Sequence, residues 1–212
     1  MSNFSSIHHY ETLEPHPDTS VPDPHQDAFS KTVLGFWIYL MTDCLLFATF
    51  FATYAVLKNE TFGGPSARDL FSLQTTFAET MILLFSSVSC GFAMLASLKK
   101  ERAKQVLIWL GVTFILGASF LAIELNEFSQ LIQEGNSWTR SAFLTSFFSL
   151  VGTHGLHISV GLLWIIVVMA QVAIQGINVI TFRRLIIFSM FWHFLDVIWI
   201  FIFTFVYLMG VI

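Results

Sequence analysis

Five stretches of this chain are apolar enough, and long enough, to cross the hydrocarbon of a bilayer: about Val33–Leu57, Phe77–Leu98, Val106–Ile123, Phe143–Ile174 and Ile186–Gly210. Backbone polar groups find no water in lipid, so each stretch must satisfy its own N–H and C=O groups, and a helix does that locally. No alternating pattern suggests a barrel. The expected fold class is therefore all-α: a polytopic bundle of five transmembrane helices over residues 31–212. Composition agrees, because 55% of the 212 residues are hydrophobic and only 11% are charged. A soluble domain carries about one-quarter charged residues.

Residues 1–30 differ sharply from the rest. They hold Pro15, Pro17, Pro22 and Pro24, the histidines His8, His9, His16 and His25, and five acids before any Lys or Arg. Such a stretch cannot bury enough apolar surface to fold alone, so a disordered or extended tail is expected. It has no basic segment leading into an apolar core, which predicts no cleaved leader. The net charge of −4 owes much to this acidic tail and gives no sign of nucleic-acid binding. Cys44 and Cys90 fall inside apolar segments and read as reduced packing residues.

The basic residues give an orientation. Lys31 precedes the first span, Lys99, Lys100, Arg102 and Lys104 fill the second loop, and Arg183 and Arg184 sit in the fourth. These share one side, which the positive-inside rule makes cytoplasmic, with the C-terminus periplasmic. The two basic clusters are expected to touch lipid headgroups.

Polar residues inside the spans are the functional candidates, since a charge at mid-membrane costs about 2.5–3.5 kcal/mol unless it is paired or used. Asp43 lies in the first span, Glu79 in the second, His154 and His157 in the fourth, and His193 and Asp196 in the fifth, with Glu124 and Glu127 near the end of the third. His154 and His157 are three residues apart, on one helix face. Metal ligation is one reading, with His193 as a third nitrogen. The His-Glu-x-x-His pattern of zinc enzymes is absent, however, as are the Glu-x-x-His pairs of di-iron bundles. A proton relay is another, but the acids are scattered rather than graded along one face. Hydrogen bonding between helices is the third. Ser86, Ser87, Ser89, Cys90, Gly91 and Ala93 in the second span, and Gly152, Gly155, Ser159 and Gly161 in the fourth, are expected to let helices approach closely.

Three strings carry a resemblance. Gly152-Thr153-His154-Gly155-Leu156-His157 is similar to the Gly-x-His-Gly-Leu-His segment of haem-copper terminal oxidase subunit III, and Trp192-His193-Phe194-Leu195-Asp196-Val197-Ile198-Trp199 resembles its Trp-His-Phe-x-Asp-Val-x-Trp segment. Met41-Thr42-Asp43-Cys44 falls where that family carries a buried carboxylate, and Glu127 where it has an acid. Five spans and Gly35-Phe36-Trp37-Ile38-Tyr39-Leu40 look most like the bo-type ubiquinol oxidase branch, with the cytochrome c oxidase branch as the alternative.

The resemblance implies an accessory, non-catalytic subunit of a proton-pumping complex in the bacterial inner membrane. Haem b, haem o and copper would belong to subunit I, the main contact, with subunits II and IV as further partners and bound phospholipid on this chain. Asp43, Glu79, Glu127, His154, His157, His193 and Asp196 would then be interhelical, lipid-site or subunit-interface residues, with no catalytic, cofactor or metal role. From another class, an autonomous proton-coupled carrier would use Asp43 and Asp196, although no inverted repeat is visible.

Overall fold

The computed structural model describes residues 24–61, 73–99 and 103–211. Among them the regular structure is all helical: α1 (Pro24–Leu57), α2 (Leu73–Ser97), α3 (Ala103–Gln133), α4 (Ala142–Gln175) and α5 (Val179–Ile202), whose last turns widen into a π-helix over Phe203–Leu208. Five helices are long and apolar enough to cross a membrane. Helices α2, α3, α4 and α5 pack in a ring, each against the next, and α1 lies across the seam between α4 and α5.

Several boundaries differ from those expected. Helix α1 begins at Pro24, inside the stretch assigned to the tail, and residues 1–23 lie outside the described residues. A proline in the first turn loses nothing there, because its missing N–H would have had no intrahelical partner. Helix α3 runs ten residues past the expected end at Ile123. Its extra turns are polar but rich in Glu and Gln, good helix formers, and they end where Gly135 adopts φ +80°. Asn136 N–H then closes on Leu131 O at 2.8 Å, a left-handed terminus that glycine adopts without strain. Helix α5 starts seven residues early because Asn178 caps it, accepting from Thr181 N–H at 2.8 Å. Arg183 and Arg184 therefore stand in its first turns, not in a loop.

The ring closes around Trp192, which is fully buried. Its ring fills space left by two glycines. A Cβ on Gly117 of α3 would lie 2.8 Å from Trp192 Cη2, and one on Gly161 of α4 would lie 2.9 Å from Trp192 Cζ3. Its indole N–H donates to Ser86 Oγ of α2 at 2.9 Å. One side chain thus touches three neighbouring helices.

The small-residue stretches behave as expected only in part. Ser86, Ser89, Cys90 and Ala93 are buried, and Ser89 Oγ meets Thr113 Oγ1 of α3 at 2.7 Å. Gly152 and Gly155 make ordinary contacts with Phe128 and Leu121. Gly91 faces open space, so it does not serve packing within this chain. Cys44 is exposed, not packed as its apolar surroundings suggested. Helix periodicity simply turns it outward.

A prediction follows from the glycine contacts. Gly161→Ala overpacks against an immobile ring and should cost about 1–3 kcal/mol, read as a lower unfolding midpoint in detergent. Gly152→Ala, whose new Cβ would sit 3.7 Å from Phe128, should be neutral or stabilising.

Candidate functional site

The helices gather the polar side chains of the spans into separate groups. The α2–α5 seam holds most of them. Trp192 donates to Ser86, and Trp199 N–H donates to Thr80 Oγ1 at 3.1 Å. Between these contacts in sequence, His193 Nδ1 lies 2.7 Å from Ser87 Oγ and 3.7 Å from Asp196 Oδ2. Residues 192, 196 and 199 recur at helical spacing, so one face of α5 presents its polar atoms to α2.

A second group joins α1 to α4. His157 Nε2 approaches Asp43 Oδ2 at 3.6 Å, and its other ring nitrogen lies 2.8 Å from the carbonyl of Thr153, one turn back. Tyr39, one turn earlier on α1, lies within electrostatic range of Asp43. His154, only three residues from His157, points elsewhere. It is fully buried, stacked on Trp199 with ring centroids 5.3 Å apart, and edged by Phe47 and Phe120. Neither of its ring nitrogens has a hydrogen-bond partner among the described residues. Both rings lie against Phe47 of α1, but the one-turn offset gives only His157 the Asp43 carboxylate and leaves His154 among aromatic rings.

The third group is acidic. Glu79 of α2 and Glu124 of α3 are 1% and 2% exposed, and none of their four carboxyl oxygens has a hydrogen-bond partner among the described residues. Glu127, one turn further along α3, lies within electrostatic range of both and of Tyr207. Tyr207 reaches inward from the π-helical turn of α5, where Met209 N–H bonds back to Thr204 O. Such wide turns re-aim side chains at the cost of regular packing.

On the protein's perimeter, Lys99, Lys104 and Arg184 are exposed, and Lys100 and Arg102 lie outside the described residues. The Arg183 guanidinium sits 4.8 Å from the centroid of the Phe29 ring, tying the start of α5 to α1. An apolar cavity of about 460 Å³ opens between α1 and α5, lined by Cys44, Phe47, Phe51, Ile198 and Phe205, with Lys58 at one edge.

Chemically, the α2–α5 seam exchanges hydrogen bonds between helices, and the α1–α4 seam holds a looser approach of imidazole to carboxylate. The sequence-predicted His154, His157 and His193 are not assembled around a common point: His193 meets α2, His157 meets α1, and His154 is enclosed by aromatic rings. Among the described residues, no three of His, Cys, Asp or Glu are arranged to hold a metal ion. Sequence reasoning overlooked Trp192, Trp199 and Tyr207 as polar participants. Their donors ride on aromatic bodies, and the Trp192/Trp199 spacing of seven residues was the available signal.

Known proteins are similar in sequence to this chain over most of its length. The sequence profile of the family described as cytochrome c oxidase subunit III matches residues 19–211. The cytochrome bo(3) ubiquinol oxidase subunit 3 of Pseudomonas aeruginosa is 55% identical over 89% of this chain and 90% of its own length. The quinol oxidase subunit 3 of Bacillus spizizenii is 43% identical over 92% and 96%. The cytochrome c oxidase subunit 3 of Bacillus sp. PS3 is 46% identical over 84% and 86%.

The α1–α4 contact makes its own prediction. Asp43→Asn keeps a polar group between Tyr39 and His157 and should leave the unfolding midpoint within a degree or two. Asp43→Leu strands the His157 nitrogen, and intramembrane polar contacts of this kind average about 0.6 kcal/mol, with a ceiling near 1.7. Thermal unfolding of both variants in one detergent should show that order; equal midpoints would remove the contact from the account.

Proposed function

Because the chain belongs to the cytochrome c oxidase subunit III family, we propose that it is the non-catalytic third subunit of a quinol oxidase, the complex that oxidises ubiquinol and reduces oxygen in the inner membrane of a bacterium. The observation that carries this reading is the use made of the buried polar groups. In the α2–α5 and α1–α4 seams they meet side chains of neighbouring helices, as a packing subunit requires. Haem b, haem o and copper then reside on the larger subunit I, which this chain flanks, with subunits II and IV completing the assembly. No step of the oxygen chemistry runs through residues of this chain.

Supporting roles follow from the perimeter. The exposed Lys99, Lys104 and Arg184 mark the cytoplasmic face and contact anionic headgroups, together with Lys100 and Arg102 of the same basic cluster. The cavity between α1 and α5 is apolar along its length and has Lys58 at its edge, which suits a phospholipid with its tail between the helices and its phosphate at the ammonium. A cytochrome c oxidase remains the second reading, because the Bacillus sp. PS3 relative bearing that name is 46% identical.

The test is purification of the tagged chain from native membranes in mild detergent. A larger haem-bearing subunit should accompany it and the eluate should oxidise ubiquinol. The chain alone, separated in harsher detergent, should show no haem absorbance. Stoichiometric haem on the separated chain would overturn the accessory role, and oxidation of reduced cytochrome c but not ubiquinol would shift the assignment to the second reading.

A further inference from the structure

The outer face of α5 carries a polar side chain where lipid offers it nothing. In the fifth span, Val179–Leu208, His193 is fourteen residues from one end and fifteen from the other. Arg184, at the headgroup end of the same helix, is nine residues away, so at 1.5 Å per residue His193 lies roughly 13 Å deep, close to the middle of a hydrocarbon core about 30 Å thick. Its side chain is nevertheless 43% exposed.

The ring is held in place. Nδ1 is engaged by Ser87 Oγ at 2.7 Å and backed by Asp196 Oδ2 at 3.7 Å, and Asp196 is itself only 7% exposed. That leaves Nε2 with no hydrogen-bond partner among the described residues. In hydrocarbon, an imidazole nitrogen without a partner is costly in either tautomer.

The surface beside it has room for a backbone. Gly91 follows Ser87 by one turn of α2, and a Cβ placed there would find no atom within 4 Å. Ser87 and Gly91 thus form a small-x-x-x-small notch on the outside of the bundle, a feature that lets a second helix approach closely. Val197 and Ile200, each about half exposed, give the notch an apolar rim on α5.

Other exposed faces lack this combination. On α4, the outward Leu156, Val160, Leu163 and Ile166 are uniformly apolar and suit lipid tails. On α1, the exposed Thr42, Thr49 and Thr53 each donate to a carbonyl of their own helix and need no outside partner.

We propose that the His193 notch, built from α2 and α5, is the docking surface for a transmembrane helix of a larger partner subunit, which supplies a hydrogen-bonding side chain to His193 Nε2 at mid-membrane. Lipid tails lack such a group, and headgroups cannot descend to it. The inference rests on the packing role proposed above and assigns the face through which that role is exercised. Asp196 acts as a positioning residue: it holds the ring so that Nε2 looks outward.

The experiment places a photo-reactive benzoylphenylalanine at Val197, on the rim, or at Leu163, on the apolar face of α4, in the intact complex in native membranes. After irradiation, adducts are identified by mass spectrometry. The Val197 probe should attach to a transmembrane peptide of a different subunit, and the Leu163 probe should not. Adducts from Val197 to lipid alone or to a second copy of this chain overturn the proposal, as does equal subunit labelling from both positions.

A second arm uses side-chain chemistry. His193→Leu should lower retention of the larger subunit several-fold on a stringent detergent wash, and His193→Gln, which keeps a hydrogen-bonding group, should restore it. Equal retention in the two variants counts against the contact. If wild-type chain retains no haem-bearing subunit at all, the accessory role itself falls. If it does retain one but the adducts come from Leu163, only the assigned face is wrong.

Discussion

Hydrocarbon cannot accept a hydrogen bond, and the α2–α5 seam is the clearest consequence of that fact in this molecule. Two indoles on α5, one at Trp192 and one at Trp199, donate to hydroxyls on α2 two turns apart. Each bond removes a donor that no lipid could satisfy, and each fixes the rotation of α5 about its axis. Once that rotation is set, Ser87 and Asp196 both reach His193 Nδ1, and His154 of α4 finds Trp199 as a stacking surface.

The same rotation explains where close packing was needed. Trp192 projects into the ring, so α3 and α4 meet it with glycine at positions 117 and 161. The ring holds together without large polar networks at its centre. The acids lie away from it, where α2 and α3 run beside the π-helical end of α5. A wide turn there presents Tyr207 to Glu127, so an irregular backbone is tolerated where it is covered by protein.

How much of this could be read from the sequence depends on the kind of signal. Span number and helical class follow from apolar length alone, and each expected span has its helix. Polar helix ends were harder. The continuation of α3 through Glu124 and Glu127 was invisible to hydropathy, because those turns are held by helix propensity and by burial against α2. The pairing of Asp43 with His157 needed the relative placement of α1 and α4, which no spacing encodes. His154 and His157 share a helix face and the neighbour Phe47, yet spacing alone does not show that one ring is boxed in by aromatics while the other reaches a carboxylate. The strings resembling oxidase subunit III marked the right segments of α4 and α5 without telling which of their side chains turn inward.

Polar atoms in the spans act as struts between helices. A double-mutant cycle with Trp192→Phe and Ser86→Ala tests this most directly, with unfolding free energies measured in lipid bilayers by steric trapping. Phenylalanine keeps much of the buried surface and removes the N–H. The two substitutions should be coupled by about 0.6 kcal/mol or more, up to roughly 1.7. Strictly additive effects would mean that the indole and the hydroxyl are neighbours without holding the helices together, and would contradict the claim.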